Sequence, residues 1–294
     1  MTTTKKNLIK ILLGAVIALA AMLLIPALKA EAAQTEITIE SSDEADTSVL
    51  LDDDFHTFDY YNEKTQLCIK SSEVMTGIYI KWDTIPGSWK LIIDGQEYVY
   101  GQNDFIHEYV ELPVASDTVY MVMAKDRTYI TDIYGFTAGE LPSWVQVWQP
   151  AYEKADILLY STHADDECIF FGGIIPNYTN NNRARVEVAY FTDQWKEGVN
   201  GTEDYRNHEK LDGLWTMGVD HYPAMGEFPD LYSESIEEAR SSFDNDHALE
   251  YTVELIRRFK PQVLVGQDLI NGEYGHGGHM YTAWLLTEAV EKAN

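Results

Sequence analysis

The residues Ile157 to Tyr160 form a short apolar run that stops abruptly at Ser161-Thr162-His163-Ala164-Asp165-Asp166-Glu167, and a second apolar segment follows at once. This pattern predicts a buried strand passing through a tight turn into a helix, with an imidazole and three acids at the strand's carboxyl end. Ligands of open α/β sheets bind at that end. Taken alone the cluster is ambiguous, because acids at a helix start also satisfy capping and the helix dipole. A second segment resolves the ambiguity. The chain reads Gly266-Gln-Asp-Leu-Ile-Asn-Gly-Glu-Tyr-Gly-His276-Gly-Gly-His279, an apolar strand running into a glycine-rich loop with two histidines. Histidines at i and i+3 opening a helix share one face, so one can bind a metal while the other points at a substrate.

The pattern around these motifs alternates. Strands are expected at Ile157 to Tyr160, Val186 to Thr192 and Val263 to Val265, with helical segments between them, and such alternation implies a parallel sheet. The clearest helix is His247 to Phe259, where Ala248, Leu249, Val253, Leu255 and Ile256 oppose Glu250, Glu254, Arg257 and Arg258. Pro261 ends it. After His279 only one helix, Met280 to Ala293, remains, so the 151–294 unit is expected to be C-terminally incomplete or to borrow a sheet edge.

The first half reads differently. Between Gln34 and Trp148 the stretches 77–82, 89–93, 97–100, 109–112 and 119–123 are rich in β-branched and aromatic residues. Turn signals at Pro86-Gly87, Asp94-Gly95, Asn103-Asp104 and Ser116-Asp117 separate them, which predicts an antiparallel β-sandwich over 34–148. The segment resembles jelly-roll carbohydrate-binding domains. Its many Trp and Tyr rings are expected mostly in the core, and Asp52 to Asp54 are read as a solvated loop rather than a calcium site. The connector is Gly139 to Pro150, with the boundary near Pro150.

From about Ala155 onward the chain resembles the zinc-dependent N-acetylglucosaminyl deacetylase superfamily (PIG-L / LmbE-like). The family's first motif is usually His-Pro-Asp-Asp-Glu, and here His163-Ala164-Asp165-Asp166-Glu167 departs only at the proline. The second, His-x-x-His, is matched by His276 and His279. The resemblance implies a Rossmann-like fold and a metal-dependent hydrolase that removes acetyl from N-acetylglucosamine-type glycans or glycoconjugates. It further implies that His163, Asp166 and His279 hold one divalent ion, Zn2+, with a position left for water. Asp165 is then the general base, and His276, as an imidazolium, stabilises the oxyanion and helps protonate the departing amine. Glu167 stands behind the ligands. Arg206 reaches substrate oxygens or pairs with Glu203 or Asp204. The family often has an aspartate before the last histidine to orient the other one; Gly278 stands there, with Glu273 or Asp193 as candidate substitutes. The alternative is a carbohydrate-binding surface protein with a vestigial hydrolase half.

Met1 to Ala32 read as an export signal: Lys5 and Lys6, an apolar stretch, then Ala30-Glu31-Ala32 as a cleavage site. The run Ile11 to Leu28 also approaches the length of a membrane anchor. Removing residues 1–32 takes four lysines and one glutamate from a net charge of −27 and leaves −30. That charge argues against nucleic acid and against anionic lipid surfaces as partners. Cys68 and Cys168 fall in different halves and are expected as two separate buried thiols.

Overall fold

The computed structural model describes residues 31–180, 183–192 and 205–293. The first half is an eight-stranded antiparallel sheet: β1 Gln34–Thr35, β2 Ile37–Ser41, β3 Asp59–Tyr61, β4 Gln66–Trp82, β5 Trp89–Ile93, β6 Gln96–Tyr100, β7 His107–Met123 and β8 Thr128–Phe136. The order is β1-β8-β4-β7-β5-β6, with β2 on β4 and β3 on β8. Two strands are longer than the sequence suggested. Tyr109–Leu112 and Val119–Met123 belong to the single strand β7, and Ser116-Asp117 is an irregularity in its pairing with β4 rather than a turn. The reason is local: the Ser116 hydroxyl bonds both the carbonyl and the N–H of Thr118, so the backbone kinks without reversing.

Alternation sorts the residues of β4 by face. Ile78, Ile80 and Trp82 join the core with Trp89 and Tyr61, all fully buried, so most of the aromatic rings fill the interior. Tyr79 and Lys81 point the other way, opposite Tyr109 and His107 of β7 and Tyr134 and Asp132 of β8.

The second half has β9 Ile157–Ser161, β10 Val186–Tyr190 and β11 Val263–Val265 in a parallel sheet of order β10-β9-β11. Its helices are α1 Asp166–Ile169, α2 Ile175–Thr179, α3 Tyr205–Thr216, α4 Ile236–Ser242, α5 Asn245–Phe259 and α6 Gly277–Ala293, with a single distorted turn at Gly272–Gly275. Central β9 is buried at every position because both faces are covered, which is why it reads as a continuous apolar run. β11 is an edge strand, and its Val263 is half exposed. Among the described residues the expected Rossmann-like sheet is seen only in part, as three parallel strands.

The two halves share one continuous core that runs from Ile39 to Tyr222. In the connector Val145 and Trp148 are buried, and Trp148 stacks edge-on against Trp215 at 5.3 Å and Tyr222 at 5.6 Å. Cys68 and Cys168 are separate free thiols, but Cys68 is only half-buried and Cys168 exposed. Of the expected export segment, residues 1–30 lie outside the described residues. No helix among the described residues is long and apolar enough to cross a membrane.

Candidate active site

Strand β9 ends at Ser161, and the loop to α1 brings Asp166 back under its own backbone. One carboxylate oxygen of Asp166 accepts the N–H groups of Thr162 (3.2 Å) and His163 (2.9 Å), and the other lies 3.2 Å from His279 Nε2. His163 Nδ1 is 3.6 Å from Asp166 and 3.1 Å from His279 Nε2. Thus two motifs more than a hundred residues apart in the chain place two ring nitrogens and one carboxylate around a common point.

The spacing fits a small tetrahedral cation. Two ligand atoms each 2.0–2.1 Å from zinc are about 3.3 Å apart at the tetrahedral angle, which the 3.1 Å between the two ring nitrogens and the 3.2 Å from His279 Nε2 to one Asp166 oxygen match, while His163 Nδ1 lies 3.6 Å from the other Asp166 oxygen. The far nitrogens of the two rings support the same reading. His279 Nδ1 bonds the Gly272 carbonyl at 2.9 Å, and His163 Nε2 faces the Asp230 carboxylate at 3.5 Å. Metal-binding histidines are oriented by such acceptors, which leave the other nitrogen's electron pair free for the ion. Burial alone would raise the Asp166 carboxyl, but hydrogen bonds from His163 and His279 hold it well below the usual carboxylate range. Burial likewise lowers His279, and Asp166 more than offsets this, so its pKa ends above the ordinary value. An anion between two imidazoles is what a cation would find there.

His276 completes a three-histidine group whose ligating atoms lie within 4.8 Å of one another. Its Nδ1 accepts the Gly278 N–H at 3.1 Å, which leaves Nε2 as the ring's donor. Burial, then the charges of His163 and His279, push its pKa down to about 4, so the ring is neutral at neutral pH. In this resting arrangement His276 presents an N–H at Nε2. Glu273, one of the two substitutes expected for the family's aspartate, does not orient it. Glu273 approaches His279 Nδ1 instead (3.9 Å) and accepts the Asp268 N–H (2.8 Å), while Asp193 lies outside the described residues. A Cβ on Gly278 would press to 3.2 Å from the His276 ring, so glycine both leaves room and supplies the orienting N–H.

Asp165 is adjacent to the cluster but faces outward. Its carboxylate takes Arg206 Nη2 at 2.8 Å, and the same guanidinium donates to the Ala164 carbonyl. Glu203 and Asp204, the expected partners of Arg206, lie outside the described residues. Asp165 has φ 128°, a left-handed value costly for a residue with a side chain. Glu167, almost wholly buried, holds that conformation by accepting the Asp165 N–H at 3.0 Å. Burial raises the Glu167 carboxyl and, with Glu167 beside it, pushes the Cys168 thiol up to about 12, so this cysteine is no thiolate nucleophile.

His163, Asp165, Asp166, Arg206, His276 and His279 line a cavity of about 280 Å³ together with Asp230, Tyr232, Phe170 and Tyr274, none of which stood out in the sequence. A larger cavity of about 940 Å³ on the β half is lined by Trp144, Lys81 and Asp53 and holds none of this chemistry.

Residues 158–290 match the family described as GlcNAc-PI de-N-acetylase, PIG-L. The α/β half is PIG-L-like. A 1D-myo-inositol 2-acetamido-2-deoxy-alpha-D-glucopyranoside deacetylase of Mycolicibacterium gilvum is 31% identical over 161 residues, 48% of this chain and 56% of that protein. The chain therefore spans little more than half the length of this curated relative. Among solved structures, a pectin-binding carbohydrate-binding module is 16% identical at TM-score 0.29, covering 37% of this chain and 96% of its own. A family two carbohydrate esterase from Cellvibrio japonicus is 13% identical at TM-score 0.22, covering 88% and 86%. Likenesses at such scores carry no argument, and the similarity of the α/β half to PIG-L stands on the family match and the Mycolicibacterium gilvum deacetylase.

Proposed function

We propose that the chain is an exported, zinc-dependent N-deacetylase acting on N-acetylglucosamine-type glycans or glycoconjugates. One observation carries the reading: the ring nitrogens of His163 and His279 and the Asp166 carboxylate converge within 3.1 to 3.6 Å of one another, and an acid and an imidazole N–H flank them. Those three residues would hold the ion, which when bound polarises a carbonyl and lowers the pKa of water to about 7.

The chain's own groups supply the rest. Arg206 holds the Asp165 carboxylate at the cavity mouth, where it accepts a proton as a water oxygen bonds to the acetamide carbon. His276 Nε2–H donates to the carbonyl oxygen as negative charge develops there. When the carbon–nitrogen bond breaks, the proton taken by Asp165 passes to the departing nitrogen. Acetate and a free amino sugar leave.

The test is acetate release from chitooligosaccharides and from an N-acetylglucosaminyl-inositol conjugate. Release is expected, lost with a chelator and restored by added zinc. Absence of metal-dependent release from every N-acetylated sugar tried would overturn the reading.

A further inference from the structure

Helix α3 is gripped on two sides. Leu211 and Leu214 belong to the core that contains Val188 and Tyr190, and Lys210 Nζ lies 4.4 Å over the Tyr190 ring. His208, Asp212 and Trp215, at i, i+4 and i+7, form a separate stripe that meets the other half of the chain. His208 Nδ1 is 2.7 Å from His107 Nε2, Asp212 accepts Gln146 Nε2 at 2.5 Å, and Trp215 Nε1 donates to the Ser143 carbonyl at 2.7 Å.

The proton positions in this network follow from one donor. Trp148 Nε1–H donates to Gln146 Oε1 at 2.9 Å, so that atom is the acceptor and His107 Nδ1, at 2.7 Å, donates to it as well. His107 Nε2 is then bare and takes the His208 Nδ1–H. Both rings are completely buried, and His208 also stacks on Phe55 with centroids 5.4 Å apart. Burying two imidazoles is costly unless each is bonded, and neither has a part in the chemistry above. Two residues before His208, at the first turn of the same helix, Arg206 reaches the Ala164 carbonyl and the Asp165 carboxylate.

We infer that His208, bonded to His107, is a positioning residue for Arg206, so that the β half is part of the active-site scaffold rather than a separable module. The sheet sets the rotation of α3, and α3 sets where the guanidinium meets Asp165. For its kinetic readout the inference rests on the deacetylase reading.

The test is a double-mutant cycle in the full chain. His208→Leu is expected to lower kcat/KM about 10- to 100-fold, the scale on which small misplacements of catalytic groups act. In an Arg206→Met background the same change is expected to cost less than about twofold, because the group it positions is already gone. His208→Asn, whose Nδ2–H occupies the donor position, stays within about threefold of the parent, as does His107→Gln, whose Oε1 replaces the acceptor. Equal losses in both backgrounds, or an asparagine variant as impaired as the leucine one, overturn the inference. Should the parent release no acetate, the deacetylase reading falls and amide hydrogen exchange decides the coupling. His208→Leu is then expected to speed exchange at Cys168 and Ile169, whose N–H groups bond the Asp165 carbonyl, and unchanged exchange there overturns it.

Discussion

Replacing Asp165 by asparagine is expected to lower kcat about 10²- to 10⁴-fold while the protein keeps its zinc, the range set by loss of a general base. The substitution is chosen for its backbone. Asp165 sits at φ 128°, and asparagine is among the side-chain-bearing residues best suited to positive φ, whereas alanine would add strain to the change of chemistry. The Glu167 carboxylate accepts the main-chain N–H of Asp165, a contact that does not involve the Asp165 side chain and survives. Asp166, His163 and His279 are untouched, so metal content read by atomic spectroscopy should match the parent, and KM should stay within about threefold. Asp166→Asn is the contrast. It weakens the anion that both imidazoles face and that accepts two backbone N–H groups, so zinc should be lost along with activity. If Asp165→Asn loses zinc, Asp165 is a ligand and not the base. If it retains full turnover, proton transfer belongs elsewhere.

The cluster of His163, Asp166 and His279 was legible because each half of it sits in a short run of local sequence, where an apolar strand breaks into a loop bearing His or Asp. Strand β11 coincides with its expected span, and α5 begins two residues early because Asp244, rather than a later residue, caps it through the N–H groups of Asp246 and His247. Asp230 was illegible for a tertiary reason. It follows an irregular segment that runs beside β10, tied to it by the Ala224–Val188 and Phe228–Phe191 backbone bonds, and nothing periodic marks such a path. The length of β7 was hidden because a serine-anchored kink and a true turn use the same residues. The His107–His208 pair joins elements a hundred residues apart, and a buried histidine on a helix carries no local signature of its partner.

Stability is expected to fall as pH rises through the neutral range, and Glu187 is the group responsible. It is the second residue of β10, almost fully buried; one carboxylate oxygen accepts the Tyr152 N–H at 3.0 Å, and the other has no partner among the described residues. Burial pushes its pKa from 4.5 up to about 8, against the smaller opposing pull of the Tyr152 N–H and of Arg258. Because the folded pKa lies above the unfolded one, the fold binds the extra proton, and its stability is greatest below the unfolded value and drains away until the folded value is passed. The whole span amounts to about 3–5 kcal/mol, and the part lost above pH 6.5 to about 2 kcal/mol, since each tenfold difference in proton affinity is worth about 1.4 kcal/mol. Asp132, raised by burial to about 6, acts in the same sense but at lower pH, so the interval from pH 6.5 to 8.5 isolates Glu187. Urea unfolding across that interval should show the parent losing about 2 kcal/mol more than Glu187→Gln, which keeps the acceptor for Tyr152 and carries no charge. Comparing the two proteins cancels the histidines that titrate nearby. Equal slopes would mean that Glu187 reaches water or a counter-ion in the folded chain.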